Sequence, residues 1–306
     1  MTQLSDLKGK WALVTGASSG LGEEFARQMS AAGTNLVLVA RREDRLNAVA
    51  DELSKAHGIQ TKVIAADLSL PDVPQAIYDQ LRADGIGVDV LINNAGFGLY
   101  GKFTDIAWER EQQMLDIDIA TVVRMTRLFV PDMVARKFGY VLQVASIGAF
   151  LPSPLYASYS AAKAFVLSFS EAINFELRGS GVSVTTTCPG VTRTEFHDVS
   201  GQQYTLFQRF TLMEPEPCVR ASINADAAAE GEHRAGCSER ADGLDPSPDA
   251  APHDDGAGPP YDAVKLTASG KRIELLGFAA EASIPMLSVR MSDNERRRKE
   301  LGVEWR

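Results

Sequence analysis

Through residue 223 the chain alternates short, unbroken apolar runs with amphipathic stretches, and this pattern restricts its fold more than any other feature. Residues rich in β-branched and apolar types fall at 11–15, 35–40, 62–65, 88–92, 140–145 and 182–187. None shows the in–out alternation of a half-exposed strand, so each reads as a strand covered on both faces. Helical spacing fills the intervals. Leu21, Phe25 and Met29 recur every four residues within 20–32, and Leu46, Val49, Ala50 and Leu53 give 43–57 one apolar face that stops at Gly58. A longer stretch, from about residue 104 to 137, contains Pro131, which is expected to bend or interrupt a helix. Strands and helices in this order specify an α/β fold, a doubly wound parallel sheet with helices on both faces. Ligands of such sheets bind at the carboxyl ends of the strands.

The first chemical signal lies at the first strand-to-helix turn, Thr15-Gly16-Ala17-Ser18-Ser19-Gly20-Leu21-Gly22. Glycines there permit a tight turn and close backbone approach to a phosphate. The helix that follows offers free N–H groups and the positive end of its dipole. An ordinary loop can carry three glycines; a strand before and an amphipathic helix after favour a dinucleotide site made by Gly16, Ser18, Ser19, Gly20, Leu21 and Gly22.

The end of the second strand bears on which dinucleotide. An NAD site places Asp or Glu about 20 residues beyond the glycines, on the ribose 2′-hydroxyl. Here the strand ends Val39-Ala40-Arg41-Arg42, with no acid before Glu43. Two guanidiniums suit a 2′-phosphate, so NADP(H) is favoured over NAD(H). The bland alternative is that Arg41 and Arg42 only solvate a helix start. Asp67 and Leu68 after the third strand are placed at the adenine, and Asn94, Ala95 and Gly96 after the fourth form a turn-prone loop facing the cofactor.

A second signal is Tyr159-Ser160-Ala161-Ala162-Lys163. Four-residue spacing sets Tyr159 and Lys163 on one helix face. An ammonium beside a phenol is expected to pull its pKa down from about 10, making a proton donor to a developing alkoxide or an acceptor in the reverse direction. Ser146 ends the preceding strand and adds a hydroxyl at the same edge. The chain contains the spacing again at Tyr261 and Lys265, but after a Pro/Gly/Asp segment with no strand, where it reads as chance.

Charge marks the boundaries. Residues 1–223 carry 20 basic and 24 acidic side chains, residues 224–260 carry 2 and 9, and residues 261–306 carry 9 and 7. The middle block has Leu244 as its one large apolar residue, too little to offset the entropy of ordering, so it reads as a disordered acidic linker. The chain is thus read as a body (1–223), a linker (224–260) and a divergent tail (261–306), the tail carrying a capping box at Ser292–Glu295 before a charged helix. A net charge of −9 argues against nucleic acid as a partner. No apolar run approaches the roughly 20 residues of a membrane span, and the amino terminus lacks a secretion signal. Three cysteines without metal spacing fit a reducing cytoplasm, and no metal site is expected. Cys188 reads as a packed small residue. Trp108 and Phe103 are expected to pack, while Phe97, Tyr100, Leu151, Tyr156, Phe196 and Phe207 are candidates for an apolar substrate pocket.

Taken in order and spacing, Thr15–Gly22, Asn93–Gly96, Ser146, Tyr159 with Lys163, and Pro189-Gly190 with Thr194 resemble the short-chain dehydrogenase/reductase family over roughly residues 8–223. The wording around Asn94–Gly98 and Ala164–Ser170 looks closest to bacterial members. The resemblance implies a Rossmann-like sheet of about seven strands and hydride transfer between nicotinamide and a small-molecule carbonyl or alcohol. Tyr159 would be the acid/base, Lys163 would lower its pKa and contact the nicotinamide ribose, and Ser146 would hold the substrate oxygen. Pro189, Gly190 and Thr194 would border the nicotinamide. A homodimer or homotetramer is implied as well.

The chain departs from the family in two places. Where relatives have Asn in the long helix, helping to anchor a water of the proton relay, Leu115-Asp116-Ile117-Asp118-Ile119 places Asp118. A carboxylate cannot donate as an amide does, and its charge is expected to pair with Lys163. Near residue 224 the family-like pattern gives way to the acidic block, and the tail reads as a divergent replacement, a frameshifted ancestral ending being one origin for it. These departures leave two readings open: an NADP(H)-dependent carbonyl/alcohol oxidoreductase, or a cofactor-binding protein without turnover, such as a redox sensor.

Overall fold

The computed structural model describes residues 4–196, 200–201 and 212–227, together with three short strands between residues 266 and 289. The central sheet contains β1 (Trp11–Thr15), β2 (Asn35–Ala40), β3 (Thr61–Ala65), β4 (Val90–Asn93), β5 (Gly139–Val144) and β6 (Val182–Cys188). These six are parallel, in the spatial order β3-β2-β1-β4-β5-β6. Their bounds lie within about two residues of the apolar runs in the sequence. The fold is the Rossmann-like doubly wound sheet expected.

Alternate residues of each strand serve opposite faces. Ala12 and Val14 of β1, Leu36 and Leu38 of β2, and Val90 and Ile92 of β4 join one core layer. Leu13, Val37, Val39 and Leu91, interleaved with them, join the other. The first layer is closed by α1 (Gly20–Ala31), α2 (Glu43–His57) and α7 (Pro215–Ala227), through Phe25, Met29, Leu46, Leu53 and Val219. The second is closed by α3 (Val73–Ala83) and α5 (Val122–Arg136), through Ile77, Leu81, Met125, Phe129 and Met133. Both faces of β1, β2, β4 and β5 are therefore dry, which is why those runs are unbroken, while the edge strand β3 is only partly covered.

The long helix differs from expectation. Pro131 does not interrupt it: α5 runs through to Arg136. Pro131 lies on the exposed face, as does Arg127 four residues earlier, so the carbonyl that Pro131 cannot bond is open to water. The irregularity comes sooner. Between α4 (Trp108–Leu115) and α5, residues Asp116–Thr121 form a π-helical turn that buries Asp118 and Thr121. Thr121 Oγ1 donates to the Leu68 carbonyl and ties the turn to the end of β3. π-turns of this kind recur at functional sites.

Phe103 and Trp108 do not pack; they stand 66% and 63% exposed. Both precede the point where α4 reaches the core at Glu111 and Met114. The helix α6 (Ala157–Glu176) follows β5 and carries Tyr159 and Lys163.

The helix α7 crosses the expected body–linker boundary at residue 223. The rest of the acidic block, Tyr261, Lys265, the capping box and the charged tail helix lie outside the described residues. By its contacts the chain divides into residues 1–234 with 285–306, and residues 235–284. The second unit contains an antiparallel pair, β7 (Leu266–Ala268) with β8 (Lys271–Ile273). Within the first, β9 (Leu287–Val289) adds a seventh strand, antiparallel to β6 through Thr186–Val289 and Cys188–Leu287.

The turn into β6 supplies a test of the sheet's construction. Gly181 has φ +81°, and a Cβ there would lie 2.2 Å from the Lys137 carbonyl oxygen at the entry to β5. Left-handed backbone costs a residue with a side chain roughly 1–2 kcal/mol, and contact with backbone cannot relax by a rotamer change. Gly181→Ala is expected to destabilise the protein by about 2–4 kcal/mol in chemical denaturation. A loss under about 0.5 kcal/mol would show that the two strand entries are not locked together.

Candidate active site

The sheet order reverses between β1 and β4, and the chain leaves these strands in opposite directions, opening a crevice at their carboxyl ends. Thr15 and Asn94 build its floor. The Thr15 hydroxyl donates to the Ile92 carbonyl at 3.2 Å and accepts from the backbone N–H groups of Asn94 and Ala95, each at 2.9 Å. The Asn94 side-chain amide donates back to the Thr15 carbonyl at 2.8 Å.

The glycines are required by geometry. Gly16 and Gly20 have φ of +69° and +59°. A Cβ on Gly22 would lie 2.2 Å from the Gly16 carbonyl oxygen and 2.6 Å from Asn94 Nδ2. The turn therefore presses backbone against backbone, and its outer surface faces a cavity of about 470 Å³.

Of the predicted site residues, all but Gly22 and Asp118 line this one cavity. Gly16, Ser18, Ser19, Gly20, Leu21, Arg41 and Arg42 form one end, with Asp67 and Leu68. Asn94, Ala95 and Gly96 form the middle. Ser146, Tyr159, Lys163, Pro189, Gly190 and Thr194 form the other end. Gly22 lies beneath the turn, and Asp118 lies behind Gly96 and Lys163. Phe97, Tyr156 and Phe196 also line the cavity, the last two packing on Tyr159 with ring centroids 5.7 and 5.3 Å away. Tyr100 and Leu151 do not line it, although Tyr100 packs against Tyr156. Phe207 lies outside the described residues.

At the first end Arg42 turns inward. Its Nε and Nη2 donate to Ser18 Oγ at 3.2 and 3.1 Å, and Nη2 to Ser19 Oγ at 2.6 Å. Its Nη1 donates to Glu195 Oε2 at 2.7 Å, and Arg45 holds the other Glu195 oxygen. Glu195 is a wall residue that sequence reasoning missed. Its neighbour Thr194 was recognised by motif, but nothing in the order of residues shows a carboxylate reaching back to position 42.

At the other end the ionisable groups are crowded. Lys163 Nζ lies 3.5 Å from Asp118 Oδ2, the two side chains being 6% and 0% exposed, and donates to the Val144 carbonyl at 3.2 Å. Asp118 Oδ1 accepts from the Phe97 N–H at 3.3 Å. A Cβ on Gly96 would lie 2.3 Å from that oxygen and 3.2 Å from Lys163 Nζ, so only glycine admits the pair. The expected pairing of Asp118 with Lys163 is present.

Burial raises the Asp118 carboxyl to about 6, against the pull of Lys163 and the Phe97 N–H. The effect on Tyr159 runs opposite to expectation. Burial first, then the Asp118 charge, push its phenol above the usual tyrosine value, while a hydrogen bond with Ser146 draws it down. Lys163 cannot lower it alone, because a carboxylate offsets its charge at close range. Burial likewise lifts Cys188 to about 12, in keeping with a packed thiol rather than a nucleophile. Among the described residues no cluster could hold a metal ion, and no helix is long and apolar enough to cross a membrane.

The short chain dehydrogenase family profile matches residues 10–205. This chain belongs to the short-chain dehydrogenase family. A very-long-chain 3-oxoacyl-CoA reductase of Aspergillus fumigatus is 42% identical over 182 residues, covering 58% of this chain and 52% of the relative. The chain thus spans about half the length of that relative. A very-long-chain 3-oxoacyl-CoA reductase of Anas platyrhynchos is 34% identical over 70% of this chain and 68% of its own length. Among solved structures, a short-chain dehydrogenase of Sphingobium yanoikuyae in complex with NADPH is 33% identical and superposes with a TM-score of 0.67, covering 71% of this chain and 84% of that one. Curated relatives include eukaryotic and bacterial proteins, so the likeness is not confined to bacterial members.

As a short-chain dehydrogenase the chain has one feature open to direct titration. Asp118 binds its proton more tightly folded than unfolded, so its contribution to stability is full below the unfolded carboxyl pKa of about 4 and is lost as pH rises through about 6. Asp118→Asn removes that loss. The stability of the variant relative to the native chain is expected to grow from about pH 4 to about pH 6 and then to level off in parallel denaturation curves. A difference independent of pH would mean that Asp118 stays ionised throughout.

Proposed function

We propose that the chain is an NADP(H)-dependent oxidoreductase moving a hydride between nicotinamide and a carbonyl or secondary alcohol. The observation that carries this reading is the convergence of Ser146, Tyr159 and Lys163 on the same cavity as the glycine turn. The cavity fits a dinucleotide by its own stereochemistry: a tight backbone turn that a Cβ on Gly16 or Gly22 would break open, beside two hydroxyls and a guanidinium. When bound, the nicotinamide supplies or accepts the hydride.

The remaining work falls to the chain. Gly16, Ser18, Ser19, Gly20 and Leu21 would hold the pyrophosphate at the start of α1, with Gly22 permitting the turn. Arg42, with Arg41, would take the 2′-phosphate, and Asp67 and Leu68 would border the adenine. Asn94, Ala95 and Gly96 would form the floor, and Pro189, Gly190 and Thr194 the edge beside the nicotinamide. Ser146 Oγ would hold the substrate oxygen next to the Tyr159 hydroxyl. A phenol held above its usual pKa is a hydrogen donor at neutral pH, suited to giving its proton to the oxygen of a carbonyl under reduction. The reverse direction requires the phenolate. Lys163 would contact the nicotinamide ribose, and Asp118 would orient Lys163 rather than touch substrate.

NADPH or NADP accompanies several similar structures, including an Agrobacterium tumefaciens 3-oxoacyl reductase with NADP bound, which supports the choice of cofactor. The relatives' names speak of 3-oxoacyl-CoA and, at 32% identity, of a 7beta-hydroxysteroid. With Phe97, Tyr156 and Phe196 at the cavity, they support a carbonyl on a bulky or extended apolar body. Exposed Trp108, Phe165 and Phe175 on α4 and α6 are consistent with a homodimer or homotetramer. We place it in the cytoplasm. The reading without turnover is not favoured, because no member of Ser146, Tyr159 and Lys163 is missing.

Tyr159→Phe is expected to lower NADPH-dependent reduction of a panel of ketones at least about 100-fold, with NADPH affinity within about twofold by fluorescence titration. Retained turnover would remove Tyr159 from the chemistry. Alcohol oxidation by the native chain should rise with pH through the alkaline range. In Asp118→Asn, which frees Lys163 to act on the phenol, that rise should come at lower pH, with activity equal or higher; a large loss at all pH values would give Asp118 an essential role of its own.

A further inference from the structure

The link between Glu195 and Arg42 spans the cavity. Arg42 follows β2, and Glu195 lies in the segment after β6, four strands away in the sheet. Their ion pair brings the segment after β6 across to the glycine-turn end of the cavity. The same segment approaches the glycine turn, since a Cβ on Gly20 would be 3.0 Å from the Thr194 side chain.

Three of the polar atoms at this end belong to one arrangement. Arg42 gives Nε and Nη2 to the hydroxyls of Ser18 and Ser19, and its outer Nη1 to Glu195. Glu195 divides its two oxygens between Arg42 and Arg45. The two guanidiniums hold the carboxyl at about 2, well below the usual range, so it is anionic at any working pH. An anion already held by the guanidinium proposed to read the 2′-phosphate competes with that phosphate for the same N–H group.

We propose that Glu195 is a specificity-determining residue, an internal carboxylate that competes with the cofactor's 2′-phosphate for Arg42 and so narrows the preference for NADPH over NADH. This rests on the reading of Arg42 given under the proposed function. Arg45 makes the competition mild: as the phosphate takes Nη1 of Arg42, Glu195 keeps Arg45 as its partner and remains in place beside Thr194. The energetics are those of a half-exposed pair, Glu195 being 40% exposed, so the effect is a tuning of affinity rather than a block.

The test is a fluorescence titration of the full chain with NADPH and with NADH, for the native protein, Glu195→Gln and Arg42→Ala. Adenosine 2′-phosphate and adenosine 5′-phosphate serve as competitors without the nicotinamide half. Glu195→Gln is expected to tighten NADPH and adenosine 2′-phosphate by about three- to tenfold and to change NADH and adenosine 5′-phosphate less than about twofold. An equal change in all four ligands, no change, or weaker NADPH would overturn the proposal. Arg42→Ala separates the two levels. If it erases the discrimination between NADPH and NADH while Glu195→Gln is silent, the competition fails and the phosphate reading stands. If it leaves discrimination intact, the phosphate reading fails and takes the competition with it. Circular dichroism of each variant monitors folding, which an exposed side chain at residue 195 does not threaten.

Discussion

One hydroxyl holds the crevice together. Thr15 ends the first strand, and its Oγ1 binds the end of the fourth through one carbonyl and two N–H groups. Strands β1 and β4 are where the sheet reverses its winding, so the two chain directions part there and backbone groups are left without ladder partners. A side chain must satisfy them, and Thr15 and Asn94 do so reciprocally. The tight turn at Gly16, the approach of Gly22 beneath it and the aim of α1 toward the cavity all follow from closing this junction without a Cβ in the way.

How much of this could be read from the order of residues depends on how local the cause is. Strand and helix positions were legible because burial on both faces leaves an unbroken apolar run, and because Gly58 ends α2 in the left-handed region, at φ +66°. The glycine turn and the Tyr159/Lys163 pair were legible because each is contiguous. The π-turn at Asp116–Thr121 was not: its cause is the docking of Asp118 under Gly96 and of Thr121 against Leu68, contacts between elements distant in sequence. Pro131 is the stronger local signal, yet the helix accommodates it on its wet face. Trp108 and Phe103 stay exposed for a related reason: apolar character alone does not imply burial at residues that precede the buried face of α4.

The electrostatics of Tyr159 follow from the same junction. Spacing alone predicts a lysine that acidifies a tyrosine. The structure adds a carboxylate 3.5 Å from that lysine, placed by the π-turn and admitted by the lack of a side chain at Gly96. The phenol is then pushed up rather than down, burial first and Asp118 second outweighing the hydrogen bond with Ser146. Under the proposed function, burial together with a carboxylate at position 118 would favour the protonated phenol without Asp118 itself touching a substrate. Burial also leaves the Lys163 pair nearly dry, which is costly unless other groups share the charge, and the Val144 carbonyl and Phe97 N–H do so.

The two ends of the cavity are built on one theme, a cation shared between a ligand-facing role and an internal carboxylate. Lys163 is shared with Asp118 in the dry interior, and Arg42 with Glu195 at the half-exposed rim. The difference in burial decides what each pairing does. In the interior the carboxylate cannot leave, so it acts continuously on the phenol of Tyr159. At the rim water and salt weaken the pair, Arg45 offers a second partner, and the carboxylate can yield to a phosphate. On the proposed function, the proton chemistry would be set by a buried charge, and the choice of cofactor tuned by a rim carboxylate that gives up one partner while the other holds it in place.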